Sequence, residues 1–295
     1  MMHLHMIGIA VAIALVIRLL SRAIATHQLS LSPQPLSWQS RWHRSLVAFV
    51  VPPLLLLTTA VAVMIMGMGT DHPWEGQISY GIALIFVVAA IFQWIHLLRL
   101  SLQTQRELKR HPIKNIQASH RGRVLAVSTV FSAHVGLWPS ELVVSEGLLA
   151  HLDDEHLAAV LAHEAGHAHY RDTFWFFWLG GLRRFTTWLP NTESLWQELL
   201  LLREIRADRW AARSVDTLVL AESLMSVITA PLVTSESVCA SFSCAAPRSR
   251  LAQRIDALLE DDALTVSGST FKILPWQWAA IAFALTPLLT IPFHY

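Results

Sequence analysis

Apolar residues gather in four long runs, at about 6–20, 46–69, 78–98 and 273–291, separated by segments of mixed polarity. Three of them approach or exceed the roughly 18–20 residues a helix needs to cross a bilayer. The first is shorter and reaches crossing length if Met1–His5 or Arg18 sits at an interface. It could instead be a signal peptide, but such leaders carry positive charge before the apolar stretch. Here Lys and Arg are missing from 1–5, while Arg18 and Arg22 follow, so an uncleaved span is expected.

Between the third and fourth runs the pattern changes. Residues 100–110 read as a polar helical extension of the third span. "RVLAVSTVF" (123–131) and "ELVVS" (141–145) read as strands, parted by the turn signals Gly136 and Pro139. The edge of this small sheet is expected near 142–145. Asp153 is a plausible N-cap for a helix running through His167, with Leu157, Val160, Leu161 and Ala168 as its core face. A second strong helix is expected over 194–215, uninterrupted by Pro or Gly. A third, "RLAQRIDALLEDD", follows a loop rich in Ser, Ala and Pro. Between the first two lies "DTFWFFWLGGLRRFTTWLP", whose aromatics favour a membrane interface. Arg183 and Arg184 in its middle argue against a full crossing. A segment lying in the inner leaflet at 173–190 is expected, with a buried aromatic strip as the alternative.

Composition agrees with a membrane protein: 54 % hydrophobic and 15 % charged residues, against about 45–50 % and about 25 % in soluble domains. Charge asymmetry sets the topology. The first connection holds Arg22, Arg41 and Arg44, and the second only Asp71 and Glu75. After the third span come Arg99, Arg106, Lys109, Arg110, Lys114, Arg121 and Arg123. Both termini should therefore face outward. The expected organisation is a three-helix transmembrane region at 1–100, a cytoplasmic domain at 101–272 and a fourth transmembrane helix at 273–295. A net charge of +1 gives no hint of direct nucleic-acid binding. Cys239 and Cys244 fall on the reducing side, where a disulfide is not expected.

Chemistry enters with "LAAVLAHEAGHAHYRD" (157–172). On a helix, residues four apart share a face, so His163 and His167 can hold one ion through their imidazoles. Glu164 is turned by about 100°, near enough to act on water as a general base. This is the zinc-peptidase arrangement HExxH. Catalytic zinc needs a third protein ligand, and "REIRADRWAA" offers Glu204, with Asp208 one turn further to orient a ligand histidine. Alone, Glu204 and Asp208 would read as a solvated acidic pair balanced by Arg203, Arg206 and Arg209.

The stretch "VFSAHVGLWPSELVVSEGLLAHLDDEHLAAVLAHEAGHAHYRD", followed by "REIRADRWAA" and "RLAQRIDALL", resembles the membrane-embedded antirepressor zinc metallopeptidases of the BlaR/MecR type. The resemblance runs from about residue 118 to 262. It implies a mainly α fold, with four transmembrane helices plus a cytoplasmic gluzincin-type α+β zinc-peptidase domain built on a small β-sheet. By position it implies His163, His167 and Glu204 as zinc ligands, Glu164 as catalytic acid/base and Asp208 bonded behind a ligand histidine. It further implies the bacterial cytoplasmic membrane, a BlaI-type winged-helix repressor as substrate, and a role in signal transduction and transcription regulation. Those receptors carry an extracellular penicillin-binding sensor after the fourth span. This sequence ends at "TIPFHY", so a member without that sensor is expected.

What would be sensed is then a matter of short outer segments. Six of the seven methionines lie there: Met1, Met2 and Met6, then Met64, Met66 and Met68, with His3, His5, His72 and His294 beside them. Thioether and imidazole ligands suit Cu(I). Extracytoplasmic copper is thus the candidate cue, through Met1, His3, His5, Met6, Met64, Met66, Met68 and His72. An extended or frayed span end would let Met64, Met66 and Met68 converge. Methionine as apolar filler is the alternative. Two rival functions remain: a quality-control or processing peptidase of the HtpX or prenyl-protease type, and a non-catalytic membrane metal sensor. Membrane lipids are expected partners. Oligomeric state stays open, with a dimer one option. For the oxyanion donor, Tyr170, His169 and Arg213 are unranked candidates.

Overall fold

A computed structural model of the chain describes residues 2–31, 37–67, 73–117, 120–229, 250–259 and 275–293. It divides into two compact units. The first comprises Met1–Ile95, Leu179–Leu199 and Ser269–Tyr295, and the second His96–Trp178 and Leu200–Gly268.

The first unit is built on three long helices, α1 (Met2–Leu31), α2 (Trp38–Met66) and α3 (Pro73–Leu108). Each holds a stretch long and apolar enough to cross a membrane: His3–Ile24, Trp38–Met66 and Trp74–Leu108. Of these stretches, 61 % is buried in α2 but only 17 % in α1 and in α3, so α2 is the central helix. Ala10 and Ala14 of α1 pack against Val51, Leu55 and Leu56 of α2, where small side chains let two backbones approach. α2 carries Pro52 and Pro53 in its interior. Pro53 has no N–H to give the carbonyl four residues back, that of Phe49. The buried Arg18 of α1 supplies the missing donor, its Nη2 lying 3.2 Å from Phe49 O. α2 ends at Gly67, whose φ of 78° suits a residue without Cβ.

The fourth expected span is shorter than the others. It comprises a helix at Pro275–Leu285 continued as a 3₁₀ stretch at Thr286–Phe293, of which Trp276–Pro292 is apolar. With rises of about 1.5 Å and about 2.0 Å per residue, that segment reaches about 29 Å, close to the roughly 30 Å hydrocarbon core. Thr58 of α2 donates to its Ala284 O at 2.6 Å.

The second unit takes in the end of α3 and then a four-stranded sheet: β1 (Ile113–Gln117), β2 (His120–Leu125), β3 (Ser132–Val135) and β4 (Glu141–Ser145), in the order β1-β2-β4-β3. β4 pairs parallel to β2 and antiparallel to β3. The expected strand at 123–131 therefore ends at Leu125, and the chain loops before re-entering the sheet at Ser132. The expected edge at 142–145 is corrected too. β4 is interior, which explains its continuous buried run Leu142, Val143, Val144, and β3 is one of the two edges, β1 being the other. One face of the sheet packs Val124, Leu142 and Val144 against Leu148 of α4 (Glu146–His151) and Leu157, Val160 and Leu161 of α5 (Asp154–Tyr170). Asp153 caps α5 as expected, accepting from His156 N. Then follow α6 (Asp172–Phe185), α7 (Thr192–Ala211), α8 (Thr217–Thr229) and α9 (Leu251–Leu259). Ala159 of α5 joins Ala211, Leu220, Leu224 and Leu258 in a second cluster, which seats α7, α8 and α9 around the helix that bears the histidines.

Candidate metal centre

His163 and His167 stand one turn apart on α5, with ring centroids 4.7 Å apart and planes at 90°. Their Nε2 atoms are 3.1 Å apart. α7 passes close enough to deliver Glu204, and Gly166 is the reason it can. A Cβ at Gly166 would lie 3.1 Å from Ala207 Cα and 3.2 Å from Ala207 O, tighter than two packed helices accept comfortably. Glu204 Oε2 comes within 3.4 Å of His163 Nε2 and 3.7 Å of His167 Nε2. The three donors form a group able to hold a metal ion.

Their spacing fits zinc. Bonds of about 2.0–2.2 Å in a tetrahedron separate the donors by about 3.3–3.5 Å, and the observed separations of 3.1, 3.4 and 3.7 Å bracket that edge. Each imidazole also turns its Nδ1 to a carboxylate, the arrangement that fixes the tautomer of a ligand histidine. His167 Nδ1 bonds Asp172 Oδ2 at 2.8 Å. His163 Nδ1 lies 2.8 Å from Asp208 Oδ1, in ion-pair contact although its N–H is not aimed squarely at the oxygen. Each carboxylate is anchored by an arginine: Asp208 by Arg254 of α9 at 2.7 and 2.8 Å, and Asp172 by Arg206. Glu204 Oε1 accepts from Arg203 Nε and Nη2 at 2.9 and 2.6 Å, which leaves Oε2 to face the histidines.

The electrostatics favour a cation here. Burial opposes charge on His163 and His167, but Asp208 and Glu204 outweigh it at His163. At His167, Glu204 and Asp172 push the pKa up to about 10. Burial would raise Glu204, yet Arg203 and the two histidines hold it well below the usual carboxylate range. Asp208 is likewise held down, against burial, by Arg254 and His163. Proton and metal compete for the same nitrogens, so metal loading releases protons and tightens as pH rises.

Glu164 is 6 % exposed. Its Oε1 accepts from Ser132 Oγ of the edge strand β3 at 2.8 Å, and its Oε2 has no hydrogen-bond partner among the described residues. His134, also on β3, is pushed down by burial, with Glu164 pulling the other way.

All five residues singled out as the zinc site thus meet in one place: His163, Glu164, His167, Glu204 and Asp208. Sequence reasoning missed Asp172, Arg206, Arg254 and Ser132. Asp172 is reached because Arg171 takes left-handed dihedrals, φ 56° and ψ 43°, to end α5, and no glycine marks that turn. Arg254 lay inside the quoted "RLAQRIDALL" without an assigned role. The three oxyanion candidates lie among aromatic contacts. His169 stacks on Trp210 at 3.8 Å, Arg206 covers the Tyr170 ring at 4.2 Å, and Arg213 sits over Trp210 at 5.0 Å.

The copper candidates are placed differently. Met1, Met68 and His72 lie outside the described residues. His3 is buried, His5 exposed and Met6 half-buried. α2 stays helical through Met66, so Met64 and Met66 are about 200° apart rather than aligned as on an extended end. Both pack against the Ala60, Val63 and Ala83 cluster.

A bulky side chain at Gly166 tests the helix approach. In Gly166→Val, α7 is pushed away, and zinc affinity should fall by on the order of tenfold or more, because donors must keep within about 0.2 Å of their bond lengths. A zinc competition titration on folded protein reads this directly.

Residues 99–235 match the model of peptidase family M48, a segment just under half of the 295 residues. No curated protein matches the chain. The matched segment carries both histidines, Glu164 and Glu204, and supports an M48-type metallopeptidase. With three helices apolar and long enough to span, it points to a membrane-associated one.

Proposed function

We propose that this chain is a membrane-embedded zinc endopeptidase that relieves transcriptional repression by cutting a cytoplasmic, BlaI-type winged-helix repressor, with extracytoplasmic copper as its candidate cue. The observation that carries the peptidase reading is the donor triangle of His163, His167 and Glu204 with Glu164 beside it. Zinc held by those three residues would supply a Lewis acid that polarises a scissile carbonyl and makes water acidic near neutral pH. Glu164 takes the proton of the attacking water and returns it to the leaving amine. Ser132 holds Glu164 in place through Oε1. The free edge of β3 can receive the substrate as an added strand, which sets the scissile bond beside Ser132 and Glu164.

The repressor reading rests on the antirepressor-like motifs and on charge asymmetry, which puts the 101–272 domain on the cytoplasmic side, the fourth span at 273–295 and both termini outside. Copper rests only on the methionine and histidine clustering. A quality-control or processing peptidase of the HtpX or prenyl-protease type is the second reading, favoured by the match of residues 99–235 to peptidase family M48. Against the HtpX type, residues 168–203 hold only the end of α5, α6 and part of α7. α6 has 14 residues, about 21 Å at 1.5 Å per residue, too short for the two crossings that type inserts there.

A proteomic comparison of cells with and without the gene, copper supplied or withheld, tests the substrate. A small winged-helix protein that persists only without the gene supports the repressor reading. Stabilisation of many membrane proteins instead supports quality control. A copper-independent loss of the repressor removes the copper cue alone.

A further inference from the structure

The second unit exposes three indoles. Trp138, in the turn between β3 and β4, is 60 % exposed, and Trp175 and Trp178 of α6 are 57 % and 44 % exposed. They form one patch through Phe174, whose ring lies 6.4 Å from Trp138, 5.2 Å from Trp175 and 6.4 Å from Trp178. Arg171 covers Trp138 at 4.3 Å. The opposite face of α6 buries Phe176 and Leu179. So large an exposed aromatic surface marks an interaction site.

We propose that the Trp138 turn and the Trp175–Trp178 stripe of α6 rest together in the headgroup region of the bilayer. Three observations select lipid over a protein partner. Tryptophan, with an apolar body and a polar N–H, suits the membrane–water boundary. The patch carries a cation: Arg171 is exposed over Trp138, and the one acid of α6, Asp172, is buried against Arg206, so α6 sets no negative charge against anionic headgroups. Finally, the stripe is two-sided, Trp175 and Trp178 facing out while Phe176 of the same helix is buried, as in a helix that lies in the plane of an interface.

β3 runs from Ser132, which bonds Glu164, straight toward the Trp138 turn. At about 3.3 Å per residue, Trp138 is at most about 20 Å along the chain from Ser132. The edge that receives substrate thus lies against the lipid surface and favours peptides presented there. This rests on the membrane part of the proposed function and not on peptidase activity.

The test uses the full chain in phosphatidylcholine nanodiscs containing phosphatidylglycerol, with Cys239 and Cys244 replaced by Ser. An environment-sensitive NBD label is placed at Trp138→Cys, at Trp175→Cys in a second protein, and at Glu155→Cys as an exposed control. The label at 138 and 175 should emit to the blue of that at 155, and headgroup-depth nitroxide lipids should quench it at least about twofold more. Water-like emission at both sites overturns the proposal. So does a blue shift without nitroxide quenching, which would place the patch in a protein contact. Neither outcome bears on whether the protein cuts peptides.

Discussion

Glu164→Gln is expected to bind zinc as the unaltered protein does and to lose about 10²–10⁴-fold in cleavage rate, the usual contribution of a positioned general base, or about 3–5 kcal/mol of barrier. Glutamine keeps the shape of the side chain and can still accept from Ser132 Oγ, which sits 2.8 Å from Oε1. It cannot take a proton. The ligands are the neighbouring side chains, so metal content and fold should be unchanged. The measurement pairs zinc stoichiometry with turnover of the proposed repressor substrate, purified. Undiminished signalling by this variant in cells would overturn the enzymatic reading and favour a metal sensor without turnover.

The second large effect is expected far from the motif in sequence. Arg254→Met removes both bonds to Asp208 and the 3.5 Å contact with Glu204 Oε2, leaving two buried carboxylates short of compensation. Removing one partner of a buried pair costs about 3–5 kcal/mol. Loss of the support behind a ligand histidine weakens metal binding by about 10–100-fold. Methionine fills much of the volume, so packing loss should be secondary. The double variant Asp208→Asn with Arg254→Met should recover part of the stability, since the amide carries no charge yet keeps an oxygen beside His163 Nδ1. Unfolding midpoints and zinc titrations of the three proteins check this. An Arg254→Met protein as stable and as tight for zinc as the parent would show that Asp208 needs no counter-charge.

How much of the site could be read in advance depended on distance along the chain. His163, Glu164 and His167 are set by one helical turn, and Asp208 follows Glu204 by another, so periodicity alone placed each pair on one face. That the two pairs meet was suggested by ligand chemistry, and the close passage at Gly166 made it physical. Asp172 is five residues from His167, but the chain must reverse at a left-handed Arg171 to bring it back, and no local signal forces arginine into that state. The edge strand was misplaced for a related reason. "ELVVS" and the β3 segment have similar local preferences, and only the parallel pairing of β4 with β2 makes one interior and the other free.

The amino-acid order by itself determined the long apolar helices, the HExxH turn and the carboxylate-bearing helix that follows, because hydrophobic periodicity and helix geometry act within a few residues. Tertiary packing alone decided which strands are interior and which are edges, which arginines neutralise the buried carboxylates, and that three tryptophans share one exposed face. Those depend on contacts between distant segments, whose energies are summed over the whole fold and leave no mark in any short window of sequence.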